Sequence, residues 1–268
     1  MNANDSNPPA GQPMWRNSLT LLLLVSAVFA GCSTQTPPAP APPPTPAAPT
    51  AAATPPVPPA PPTAAVPATP AEPAKYEELP PLEGEGWQSL FDGQSLAGWK
   101  VTDFSGKGEV KVEGGQIKID AGAILCGVNG PTNLFTIDYE VALDAMKTSG
   151  SDFFCGLTVP VADSFCTLIV GGWGGSLVGI SSIDGNDASS NETTRFFTFD
   201  KNKWYRIRMR VTRAKLEVWI GKEKVVNADI REKRITMRPG EIEMSEPFGI
   251  ATYETGAALK NIQWRSLK

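Results

Sequence analysis

Phe135-Thr-Ile-Asp-Tyr-Glu-Val-Ala-Leu143 alternates apolar with mostly polar residues along its length. A period of two places Phe135, Ile137, Tyr139, Val141 and Leu143 on one face of an extended strand, where a helix would scatter them. Tyr205-Arg-Ile-Arg-Met-Arg-Val211 repeats the pattern, with Arg206, Arg208 and Arg210 on its polar face. Working outward, shorter strands read at 110–112, 116–120, 153–159, 165–170, 177–182, 195–199, 215–220, 248–253 and 261–267. Gly, Asp, Asn and Pro separate them at the short intervals that hairpins need. No window carries a capped helical period. The pattern predicts an all-β fold, an antiparallel β-sandwich with one face of each strand buried.

The strands occupy only the later part of the 268 residues. Of the 26 prolines, 17 fall between Pro37 and Pro73, in a run of Pro, Ala and Thr with almost no charge. Such a run cannot bury enough apolar surface to offset its ordering entropy, so residues 32–75 read as a disordered, extended linker. Upstream, Leu19 to Ala30 is an apolar run too short for a membrane helix, which needs about 20 residues. With small residues at its end it fits a signal peptide over 1–31. Met14, followed directly by Trp15 and then Arg16, makes a tidier start than Met1. Val28-Phe-Ala-Gly-Cys32 resembles the bacterial lipobox, in which the cysteine is lipidated and becomes the mature N-terminus; ordinary cleavage near Ala30 is the alternative. The expectation is an exported lipoprotein, anchored in a membrane through its lipid only and facing the periplasm or exterior, with residues 76–268 as a monomeric folded domain.

The chain holds 24 basic and 28 acidic residues and no basic block, which argues against nucleic acid as a partner. It has no histidine. A Ser-His-Asp triad, a Cys-His pair and an imidazole zinc site are therefore excluded. Any catalytic base must be a carboxylate or a perturbed Lys or Tyr, and any metal must accept oxygen ligands. Cys155 and Cys166 flank the expected turn Val159-Pro-Val-Ala-Asp163, which brings a cross-strand disulfide within reach; burial as small apolar residues is the other reading.

Two places stand out as candidate sites. In Leu216-Glu-Val-Trp-Ile220 the alternation turns Trp219 outward beside Glu217 and the three arginines, as a platform for a sugar ring or as a ring covered by arginine stems. Gly171-Gly-Trp-Gly-Gly175 places Trp173 among four glycines, poorly positioned for a core and suited to a loop tip over a sugar. Asp184, Asn186, Asp187, Asn191 and Glu192 follow within nine residues. Asp184, Asn186, Asp187 and Glu192 offer oxygens to calcium or another divalent cation, the one cofactor the pattern suggests; a turn bonded to its own backbone is the commoner outcome.

Several segments together resemble a known family. Ser89-Leu-Phe-Asp-Gly-Gln-Ser-Leu-Ala-Gly-Trp99 is similar to the opening motif of the 3-keto-disaccharide hydrolase-like (3-keto-glucoside lyase/hydratase) domains. Gly108 to Ile117, Phe135 to Val141, Lys203 to Arg208, Leu216 to Val225, Phe248 to Tyr253 and Leu259 to Trp264 resemble its later strands in order. The resemblance spans about residues 86–268. It implies a concanavalin A-like or laminin-G-like jelly roll. It also implies cleavage of glycosides oxidised at sugar carbon 3, in which the ketone acidifies the carbon 2 hydrogen and the carbon 1 substituent is eliminated before hydration. This chain departs from the family around residues 148–157 and 171–194 and lacks the family's histidines, so no catalytic residue transfers directly.

The first expectation is thus a carbohydrate-active hydrolase with a base among Glu140, Asp184, Asp187 and Glu192. Arg208 or Arg210 would steady the enolate, and Trp173 or Trp219 would stack on the ring. The alternatives are a non-catalytic carbohydrate-binding module of the same fold and an adhesion module of the cell envelope. For the anchor, the full chain expressed in a bacterium is expected to sediment with membranes, and Cys32→Ala to move it to the soluble fraction. Equal partition of the two would remove the lipid anchor.

Overall fold

The computed structural model describes residues 79–134 and 136–268. The signal peptide over 1–31, the alternative start at Met14, the lipidated Cys32, the linker over 32–75 and Phe135 lie outside the described residues. The strands, numbered along the chain, form two antiparallel sheets. The first runs β13 (Glu223–Asp229), β12 (Lys215–Ile220), β11 (Trp204–Val211), β6 (Tyr139–Lys147), β15 (Ala257–Ser266), β4 (Gln116–Ile119) and β3 (Val110–Glu113), with β1 (Gln88–Ser89) also paired to β15. The second runs β10 (Arg195–Phe196), β9 (Leu177–Ser181), β8 (Ser164–Gly171), β7 (Cys155–Val161), β14 (Gly249–Tyr253), β5 (Leu125–Asn129) and β2 (Lys100–Val101). This is the expected jelly-roll sandwich. A five-residue 3₁₀ helix at Glu241–Ser245 is the longest helical piece described.

The core lies between the sheets, and alternation supplies it. Tyr139, Val141 and Leu143 of β6, Ile207, Met209 and Val211 of β11, and Leu216, Val218 and Ile220 of β12 all face inward and are buried. The second sheet answers with Leu157, Cys166, Leu168, Val170, Val178 and Ile180. Each such aliphatic side chain contributes about 1.5–3 kcal/mol on burial.

Two expectations change. The strand expected from Phe135 begins at Tyr139. Asp138 takes φ 56°, a left-handed conformation that ends the extended run, and its carbonyl accepts the Leu267 N–H at 2.9 Å. Ile137 still packs half-buried against the core. The cysteines are the second correction. β7 and β8 turn at Ala162 and Asp163, which sets Cys155 opposite Val170 and Cys166 opposite Val159. Four strand positions separate the two thiols, about 13 Å at about 3.3 Å per residue. A disulfide needs Cα atoms within about 7 Å. Cys126, Cys155 and Cys166 are all free and buried, and burial pushes the thiols of Cys155 and Cys166 up to about 12.

The outward face of the first sheet is built from charge. Register sets Arg210 and Arg265 on either side of Glu140, and Arg206 and Lys260 on either side of Asp144. Glu140, fully buried, receives Arg210 Nε at 2.6 Å, Arg265 Nε at 2.6 Å and Arg208 Nη1 at 3.4 Å. Asp144 receives Arg206 Nε at 2.7 Å and Asn261 Nδ2 at 2.7 Å. Arg206 also donates to the Pro80 carbonyl and Arg265 to that of Glu85 at 3.2 Å, so the incoming chain lies on this face. Removing one member of a buried ionic cluster leaves the others desolvated and unpaired. Glu140→Ala is expected to lower unfolding stability by about 3–5 kcal/mol, against less than about 0.5 kcal/mol for exposed Glu223→Ala, both read by urea denaturation.

Candidate functional site

The outward face of the second sheet is different in character. Leu125, Phe153, Ile169, Leu177 and Ala251 form a second apolar cluster there, with Ile242 and Tyr253 packed against it. These residues alternate with the core-facing ones, so the same period-two rule creates both layers. Above the cluster sits a cavity of about 350 Å³.

Three segments wall it. The first is the chain from Ile235 to Ser245, pinned at both ends. Ser182 and Thr236 exchange backbone hydrogen bonds at 2.8 and 3.2 Å, and Ser164 Oγ donates to the Ile235 carbonyl at 2.8 Å. At the far end Asn129 Nδ2 donates to the Met244 carbonyl at 2.9 Å. Between these pins Arg238, Pro239, Glu241 and Ile242 line the cavity.

The second wall is the glycine-rich turn after β8. Gly171, Gly174 and Gly175 take φ of 83°, 85° and 102°, and Trp173 joins them at φ 49°, ψ 56°. Left-handed backbone is accessible to glycine and uncommon for tryptophan. Asp152 holds the turn. Its Oδ2 accepts the Gly174 N–H at 3.0 Å and its Oδ1 the Phe153 N–H at 2.8 Å. Trp173, 45% exposed, stands at the rim, with the Arg238 guanidinium carbon 6.0 Å from its ring.

The acidic loop is the third. Asp187 Oδ1 accepts the Ser181 hydroxyl at 2.5 Å and the Ala188 N–H at 2.7 Å, while Oδ2 is paired with Arg238. The loop packs closely because β9 carries Gly179 beneath it, where a Cβ would meet the Ala188 carbonyl oxygen at 2.8 Å. Asn191 Nδ2 ties the loop by donating to the carbonyls of Ile180, Asn186 and Asp187.

Of the residues singled out in the sequence, Trp173 and Asp187 line the cavity. Asp184 and Glu192 do not. Both reach Lys233, at 2.9 and 3.4 Å, and Asp184 Oδ1 accepts the Arg234 N–H at 2.9 Å. That backbone bond first, and Lys233 second, hold the Asp184 carboxyl below its ordinary range. Among the described residues no group of three Asp, Glu or Cys side chains converges as a metal site. Of the residues expected to offer oxygens to calcium, Asp184, Asn186, Asp187 and Glu192, the three carboxylates face Lys233 and Arg238, and the Asn186 carbonyl accepts from Asn191 within the loop. Glu140, Arg208, Arg210 and Trp219 sit on the other sheet, facing away from the cavity. Arg208 lies 3.9 Å from the centre of the Trp219 ring and Lys224 4.8 Å, so arginine and lysine cover the ring, and it offers no open platform.

The cavity also contains residues that the sequence did not single out, chiefly Asp152, Arg238, Glu241 and Tyr253. Glu241 is exposed at the rim and has no hydrogen-bond or ion-pair partner among the described residues. Its one sequence signal is the turn Arg238-Pro-Gly-Glu241, which spaces a cation and an anion by three residues.

Residues 86–265 match the model of the 3-keto-alpha-glucoside-1,2-lyase-like domain. The chain belongs to that family. Among solved structures, this lyase-like domain is similar to the fourth domain of an extracellular arabinanase from Geobacillus stearothermophilus, solved with arabinotriose. The identity is 14%, the TM-score 0.46, and the match covers 68% of this chain and 91% of that one. It is also similar to a carbohydrate-binding module from Bacillus subtilis at 16% identity and TM-score 0.41, over 63% of this chain and 96% of the other. No curated protein matches the lyase-like chain.

Because Asp152 ties the Trp173 turn to the segment leading into β7, Asp152→Ala is expected to free the ring. Iodide quenching of the Trp173 signal, taken as wild type minus Trp173→Phe, should rise in Asp152→Ala and change little in Asp152→Asn, whose amide oxygen still accepts an N–H. Equal quenching in all three would remove the assigned role.

Proposed function

We propose that this domain is an exported enzyme that cleaves 3-keto-glycosides by elimination followed by hydration. The observation that carries the reading is an unpaired carboxylate, Glu241, and a guanidinium, Arg238, lining one cavity in a member of this family. Glu241 takes the proton from carbon 2. The electron pair moves toward carbon 3, where the ketone oxygen becomes an enolate beside Arg238. Collapse of the enolate forms the carbon 1–carbon 2 double bond and expels the aglycone oxygen, which takes a proton from water. Water then adds at carbon 1 and a proton returns to carbon 2, giving the free 3-keto sugar. Asp187 orients Arg238, and Trp173 covers one face of the ring. The lipobox-like segment ending at Cys32 supports an anchored, exported placement.

A second reading, a carbohydrate-binding module, is favoured by one observation. Asp152 and Asp187 are already engaged, one by two N–H groups and one by Arg238. Incubating the full chain with a panel of 3-keto-glucosides separates the two. Aglycone release above the spontaneous rate is expected, with Glu241→Gln lowering it about 10²–10⁴-fold and chelator leaving it unchanged. Saturable binding without release would establish the binding module.

A further inference from the structure

The cavity is polar at one end and apolar at the other, along the strand direction. Thr167 and Ser181 are directly paired across β8 and β9, and with Asp187 and Arg238 they make the polar end. Ile169 lies two residues further along β8, about 6.7 Å away, toward the Trp173 turn. Leu125 and Tyr253 are directly paired across β5 and β14, and the Tyr253 N–H donates to the Phe153 carbonyl at 3.1 Å. These residues therefore sit side by side, and the Phe153 and Tyr253 rings meet at 5.8 Å, tilted by 43°. Ile242 closes this end from the pinned segment.

We infer that the polar end holds the oxidised sugar and the apolar end an aromatic or hydrophobic aglycone, so the substrates are glycosides of apolar alcohols. This rests on the 3-keto-glycoside reading and gives it a substrate class. Two features support it. A volume of about 350 Å³ is near the lower limit for small-molecule sites and suits one sugar with a small aglycone. A second sugar in the apolar end would also bury several hydroxyls against Leu125, Phe153, Ile169 and Ile242. Of the carboxylates beside these residues, Asp152 already accepts two N–H groups, and Glu241 is taken up as the base of the lyase reading. Hydroxyls removed from water without partners weaken binding, whereas a phenyl ring gains from the same surface.

The test compares 3-keto 2-phenylethyl glucoside with 3-keto ethyl glucoside, both of which expel a simple alcohol, and with a 3-keto disaccharide. Each rate is divided by its base-catalysed elimination rate. The full chain is expected to favour the phenylethyl substrate at least tenfold in kcat/KM, with Ile242→Ser reducing the preference and Glu223→Ala leaving it intact. Equal rates, or preference for the disaccharide, would overturn the apolar aglycone while leaving the lyase reading standing. If no keto-glycoside turns over, binding of the unoxidised phenylethyl and ethyl glucosides decides. Selective binding of the former keeps the apolar end and removes the lyase, and absence of selectivity removes both.

Discussion

Both faces of β6 are buried, and the first sheet is organised around that. Its inward face needs only apolar neighbours, which Ile207, Met209 and Val211 provide across the strand. Its outward face carries Glu140 and Asp144, and a carboxylate out of water must be answered by hydrogen-bonding cations. The arginines of β11 and the lone Arg265 of β15 arrive at the correct positions only in the observed register. A one-residue slip would turn every one of them into the core and every core residue into the charge layer. The cluster contributes little net energy beyond its desolvation cost, yet it penalises every other pairing of these strands.

The second sheet resolves its outward face by a different route. There the alternation yields Leu, Ile, Ala and Thr rather than charge, and the cover comes from loops instead of long side chains. Those loops are tied by backbone contacts: Ser182 with Thr236, Asn191 with three carbonyls, Asp152 with the glycine turn. Cover by loops leaves a space that cover by arginine stems does not. The cavity belongs to this sheet because its outward residues are too short to fill the layer above them.

How much of this was legible in the sequence varies with the physics. Alternation at 205–211 and 216–220 reports burial directly, so the sandwich and its core could be read off. Alternation at 135–138 was misleading, because the left-handed turn at Asp138 depends on a contact with Leu267, more than a hundred residues away. The cysteine pairing failed on the position of a two-residue turn. A turn at Pro160 and Val161 would have set Cys155 against Cys166. Instead Pro160 stays within β7, its carbonyl accepting the Tyr139 hydroxyl at 2.6 Å. Trp173 was recognisable because four glycines cannot build a core around it. Trp219 gave an equally strong signal, and only the placement of Arg208 and Lys224 distinguishes a covered ring from an open one. Arg238 and Glu241 carried no periodic signal, since the segment holding them is neither strand nor long helix.

The contacts of Arg206 with Pro80 and of Arg265 with Glu85 also determine the side on which the chain enters the domain. Residues 80–85 lie on the outward face of the first sheet, and the cavity opens on the outward face of the second. Residues 80–85 and the cavity therefore lie on opposite sides of the sandwich, with both sheets and the core between them. A shift of residues 80–85 would be felt first by Arg206 and Arg265 in the charged layer. The cavity walls, tied to strands and loops of the second sheet, are insulated from it by two sheets.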